Sequence, residues 1–148
     1  MTIALLSLVG ILIALYLTLY KIGIIGDLSC SVGSCETVNT SRWSMLFGLP
    51  VAAWGLAAYV ALFVIALAGT TERYASSATI SWVLVGIAAW SVLFSGWLTY
   101  LELFVIDAIC IWCVASAALL IGIFGASVAD LKGAKGAKSA KGGAVQRP

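Results

Sequence analysis

The sequence contains no histidine. That absence excludes Ser-His-Asp and Cys-His catalysis, imidazole ligation of a metal, and haem attachment through C-x-x-C-H. Charge is scarce too: 9% of the 148 residues are charged, where soluble domains carry about a quarter. What remains is apolar, with 63% hydrophobic residues and a mean hydropathy of +1.13. One small water-soluble core cannot hide that much apolar surface, because too little polar surface is left to cover it. Most of the chain must face lipid. The net charge of +2 gives no sign of a soluble nucleic-acid binder.

A bilayer core about 30 Å thick takes about 20 mostly apolar residues per helix. Four such runs are legible: residues 2–20, 49–68, 78–100 and 107–128. The second is entered through Pro50, which a first helical turn tolerates. The first run has no basic n-region and no small-residue cleavage site after it, so it reads as a permanent span and not as a secretory signal. The expected fold is therefore an all-α integral membrane protein, a four-transmembrane-helix bundle occupying residues 1–130. Residues 131–148, with a lysine at every third position through Lys141, are expected to form a disordered basic tail without an apolar face to bury. Such a tail can also meet anionic lipid headgroups.

Orientation follows from the basic residues. Four spans put both termini on one side, together with Arg73, Lys132, Lys135, Lys138, Lys141 and Arg147; Lys21 and Arg42 lie on the other. Lysine and arginine favour the cytoplasm, which predicts both termini inside a cell (inner or plasma) membrane. Tyr16, Tyr20, Trp43, Phe47, Trp97, Tyr100, Phe104 and Trp112 then gather toward the outer boundary, as an interfacial belt does.

The four cysteines fall on that same outer side, although the topology was assigned without them. Cys30 and Cys35 lie in the long connection 21–48, and Cys110 and Cys113 near the start of the fourth span. Disulfides persist outside the cytoplasm and are rare within it. Cys110 and Cys113 are three residues apart, one helix face within reach of a disulfide. Asp107 is placed to act as N-cap, which would set the pair at the positive end of the helix dipole and favour a thiolate, while burial in apolar surroundings would act the other way. Cys30-Ser-Val-Gly-Ser-Cys35 is a loop pair whose Gly33 gives the backbone freedom to close a small ring. Two pairs so placed can pass electrons by thiol–disulfide exchange. Two static disulfides, or a four-cysteine zinc or iron–sulfur site, are the alternatives; one pair sits in a membrane helix in an oxidising compartment, so no metal is expected. The rest of the outer loop, residues 36–50, passes from polar to aromatic and is expected to form a short interfacial helix covering the bundle mouth.

Cys30, Cys35, Ser41-Arg42-Trp43, Phe47-Gly48-Leu49 and Cys110-x-x-Cys113, in that order, resemble the vitamin K epoxide reductase family over most of residues 20–120. The resemblance implies a four-helix membrane enzyme of oxidative protein folding, similar to prokaryotic members. These pass electrons from a secreted thioredoxin-fold partner to a quinone such as ubiquinone or menaquinone. Many members carry that partner as a fused domain; here a separate protein is expected. By resemblance, Cys110 and Cys113 form the active-site pair, with Cys113 nearest the quinone. Cys35 exchanges with Cys110, Cys30 meets the partner, and the Ser41 hydroxyl lies near the quinone or the cysteines. Animal enzymes carry a tyrosine four residues after the second cysteine of C-x-x-C, where this chain has Ala117. Quinone reduction is therefore expected ahead of epoxide reduction.

A Dsb-type quinone reductase is a neighbour in chemistry but carries its C-x-x-C early and its loop pair late. Attack by a thiolate needs no imidazole, and Glu102 and Asp107 are candidate proton carriers by position. Trp90, Phe94 and Trp97 on the third span suit a prenylated ring. A membrane protein with purely structural disulfides is the alternative of a different class.

Overall fold

A computed structural model describes residues 1–30, 33–71 and 78–145. Its main elements are α1 (Thr2–Lys21), α2 (Cys35–Thr40), β1 (Met45–Leu46), β2 (Leu49–Pro50), α3 (Val51–Ala68), α4 (Ala78–Leu101) and α5 (Ile111–Val145). Four of these helices are long and apolar enough to cross a bilayer. The protein is a multi-pass, all-α membrane bundle, as its composition requires.

The helices form a closed ring of neighbours: α1 packs on α3 and α5, and α4 packs on α5 and α3. Leu5, Leu12, Val64, Leu93 and Ile121 stand exposed along them, because helices apolar all round bury one face against each other and offer the rest to lipid. Small residues let the backbones approach. Ala4, Ala14, Ala66 and Ala88 are buried in the core with Leu62 and Ile123, and Gly10 of α1 lies directly under the ring of Tyr59 from α3.

Several expectations need correction. The third span does not stop at residue 100: after α4 the chain makes a π-helical turn, Glu102–Ile106, so the apolar helix reaches Ile106. Asp107 is not the N-cap of the last span. It closes this turn in the left-handed region at φ 55°, a conformation its short polar side chain tolerates, with the Ala108 N–H donating to the Glu102 carbonyl at 3.1 Å. The last helix starts at Ile111, and its first carbonyl acceptor is Cys110, which takes the Val114 N–H at 3.0 Å. Cys110 is thus the N-cap residue, and Cys113 the third helical residue.

The last helix also continues past Val128 to Val145. Helical backbone therefore stands where the basic tail was expected to be disordered; its alanines and lysines are strong helix formers. In the long loop between the first two spans the helix is α2, in the polar half. The apolar half forms a 3-10 turn, Arg42–Ser44, and a hairpin. That hairpin turns on Phe47 and Gly48, both at positive φ, a two-residue geometry whose twist matches paired strands. Arg73 and Arg147, used for the orientation, lie outside the described residues, as do the side chains of Lys135, Lys138 and Lys141.

Candidate active site

The cysteine-bearing end of the bundle is closed by the loop between α1 and α3. Hydrogen bonds to the helices hold it there. The Lys21 ammonium, at the end of α1, donates to the Asn39 carbonyl at 2.6 Å and to Ser44 Oγ at 2.7 Å. The Trp54 indole donates to the Leu46 carbonyl at 3.2 Å, fastening the hairpin to α3. The Ser34 N–H donates to the Ile109 carbonyl at 2.9 Å, and Gly33 pairs with Cys110 in an isolated antiparallel bridge. Gly33 sits at φ 94°, and a Cβ there would run into the Ile109 carbonyl oxygen. Only glycine allows this approach at no steric cost.

The seating brings the two cysteine pairs together. Cys35 and Cys110 are almost fully buried, at 1% and 0% exposure, in one cluster with Val38 and Ala108, against which Cys30 and Cys113 pack. Cys30 and Cys35 are joined by a disulfide with a Cα–Cα distance of 6.2 Å, while Cys110 and Cys113 are free thiols. Hydrogen bonding from the Cys113 thiol, with the N–H groups of Cys113 and Trp112, holds the Cys110 thiol below its ordinary range against its burial and the Glu102 charge. From sequence, the helix start favours a thiolate and burial opposes it; for Cys110 the Cys113 thiol, helped by the free N–H groups of that first turn, decides the direction.

Beneath the loop lies a cavity of about 480 Å³. Aliphatic and aromatic side chains from α1, α3, α4 and α5 form most of its wall. Cys113 is the one cysteine lining it, and Ser41, Lys21, Asn39 and Glu102 line it too. The Ser41 hydroxyl donates to the Val38 carbonyl at 2.7 Å and keeps its oxygen lone pairs free to accept. Trp54 and Trp90 line the cavity while 43% and 73% exposed, so it reaches the lipid-facing surface between α3 and α4. Of the aromatic trio expected around a ring, Trp90 and Phe94 line the cavity. Trp97 does not: it packs on Tyr100 instead, at 6.5 Å between centroids.

Some site residues escaped sequence reading. Lys21 reads from sequence only as a charge at the end of the first span. Asn39, buried, donates its side-chain N–H to the Cys35 carbonyl at 3.1 Å and carried no sequence signal. Tyr59 donates to the Ser116 carbonyl at 2.9 Å and pairs with the Ser116 hydroxyl at 2.8 Å on the cavity wall. Among the described residues no group of three or more metal-ligating side chains occurs.

A membrane four-helix bundle with a disulfide and a dithiol stacked at one end, above an apolar cavity, belongs to the class of membrane redox proteins. The sequence profile of the vitamin K epoxide reductase family matches residues 1–128, and the chain belongs to that family. It is a membrane oxidoreductase. No curated protein matches the chain closely enough to count as a relative.

Proposed function

We propose that the protein is a thiol:quinone oxidoreductase that generates disulfides outside the cytoplasm. The observation that carries this reading is the division of labour among four clustered cysteines. Cys30 is partly exposed, Cys35 and Cys110 are buried together, and Cys113 lines the apolar cavity.

In this scheme a reduced thioredoxin-fold partner attacks the loop disulfide at Cys30. Cys35 exchanges with Cys110, and Cys110 and Cys113 then return electrons to a quinone in the cavity. The residues present fit that ligand. The volume lies in the range of small-molecule sites, and a mostly apolar wall with a few polar groups suits a prenylated ring. When bound, a quinone supplies a sink for two electrons and two protons. The chain's own residues do the rest. Ser41 presents an acceptor oxygen at the cysteine end, Lys21 pins the loop that keeps water out, and the opening between α3 and α4 admits a ligand from the bilayer. The basic-residue asymmetry supports both termini in the cytoplasm and the cysteines at the outer face. Quinone reduction is favoured over epoxide reduction because position 117 is alanine.

The test uses the purified full chain with dithiothreitol as the electron donor and ubiquinone or menaquinone analogues as acceptors. Quinone reduction is expected in the wild type and its loss in Cys113→Ala, in which, before dithiothreitol is added, the loop disulfide is expected to rearrange in part to Cys35–Cys110. Failure of the wild type to reduce any analogue overturns the reading.

A further inference from the structure

Glu102 is 4% exposed, within an apolar helix that crosses the membrane. A carboxyl group there is costly and needs named partners. Its partners are the two helix cysteines. The Cys110 N–H donates to a Glu102 carboxylate oxygen at 3.3 Å, and the Glu102 carboxyl and Cys113 thiol are near enough to interact electrostatically. Glu102 and Cys113 both line the cavity. The π-helical turn beginning at Glu102 is a local departure of the kind often found at functional sites.

We propose that Glu102 is a catalytic residue, the proton carrier between the Cys113 thiol and the electron acceptor in the cavity. This rests on the thiol:quinone reading above. Oxidation of the Cys110/Cys113 pair forms one S–S bond and breaks two bonds to hydrogen, one of them when the Cys110 thiolate forms. Two electrons and two protons pass to the quinone, which is reduced to the quinol. The Glu102 carboxylate takes the Cys113 proton as that sulfur joins Cys110, and delivers it to an acceptor oxygen. The proton lost earlier from Cys110 is replaced from water at the cysteine-bearing end.

The experiment compares wild type, Glu102→Gln and Glu102→Asp in the purified full chain with a menaquinone analogue. Glu102→Gln is expected to lower kcat about 10²- to 10⁴-fold, the usual span for a lost acid–base group, at unchanged KM. Exchange between Cys35 and Cys110 is expected to persist, and Glu102→Asp to recover part of the rate. A second readout needs no quinone. Oxidising the reduced wild-type protein with diamide is expected to produce a carboxylic-acid C=O band in the infrared difference spectrum, absent from Glu102→Gln. A wild-type rate in Glu102→Gln, or no such band in the wild type, overturns the assignment even where the wild type reduces quinone. A wild type that reduces no quinone overturns the underlying reading instead. Should Glu102→Gln fail to fold, the wild-type infrared spectrum and the Glu102→Asp rate still decide the matter.

Discussion

Trp112 donates its indole N–H to the carbonyl of Ser29, 83 residues earlier in the chain, at 2.9 Å. The N–H of the same Ser29 donates to the Tyr16 hydroxyl at 3.0 Å, and the rings of Tyr16 and Trp112 meet edge to face at 5.5 Å. Two side chains thus grip both polar groups of the backbone next to Cys30. One of them stands between the two cysteines of the C-x-x-C motif.

Replacing Trp112 by Phe keeps a ring and removes the donor. The expected cost is about 1 kcal/mol, that of one hydrogen bond, read as a small fall in the unfolding midpoint in detergent. The freed segment is expected to raise the alkylation rate of Cys30 after reduction. An unchanged rate would show that the grip does not position this cysteine.

Gly33→Ala places a methyl group against the Ile109 carbonyl and a side chain at φ 94°. Backbone strain of this kind costs on the order of 1–3 kcal/mol, and the loop is expected to leave its seat before the bundle unfolds. The measurement is the yield of a trapped Cys35–Cys110 disulfide in a Cys113→Ala background. We expect a fall of about tenfold with little change in helix content.

Exchange between Cys110 and the loop disulfide requires the Cys110 thiolate. Because hydrogen bonds from Cys113 and the helix start lower its pKa, the thiolate persists to lower pH than in a free thiol, whose pKa is about 8.5. The exchange rate is therefore expected to rise with pH and level off below about 8.5, and to fall as pH drops through the lowered pKa. Acid-quenched disulfide mapping of the quinone-free protein gives the profile, and an inflection at or above 8.5 would contradict it.

Gly10→Ala drives a methyl group into the Tyr59 ring. Overpacking a core site costs about 1–3 kcal/mol, and displacing the ring also strains the Tyr59–Ser116 hydrogen bonds. Lower thermal stability is expected in Gly10→Ala; Gly125→Ala, where a Cβ meets open space, serves as the control.

Much of this protein is legible without coordinates, and the limits are physical. Hydrophobicity is a sum over neighbours in sequence, so the four spans can be read from residues 2–20, 49–68, 78–100 and 107–128, with errors only where a turn intervenes. The end of the third span was misplaced because Glu102 reads as a break in an apolar run, whereas its carboxyl turns inward to the Cys110 N–H. Asp107 looked like an N-cap because that signal is a residue type at a position; the left-handed backbone that makes it a stop is not written in the type.

The absence of histidine and the order of the cysteine pairs were enough, by themselves, to direct attention to thiol chemistry and to one end of a bundle. Parity of crossing does that work: the two spans between the loop and the C-x-x-C pair, an even number, return the chain to the same side. Tertiary structure alone decided which cysteine lines the cavity, that Gly33 seats the loop on Cys110, and that Glu102 lines the same cavity as Cys113. Those facts depend on contacts between segments as far apart as Gly33 and Cys110, and on a π-helical turn that rotates a side chain inward. Neither is encoded in local periodicity.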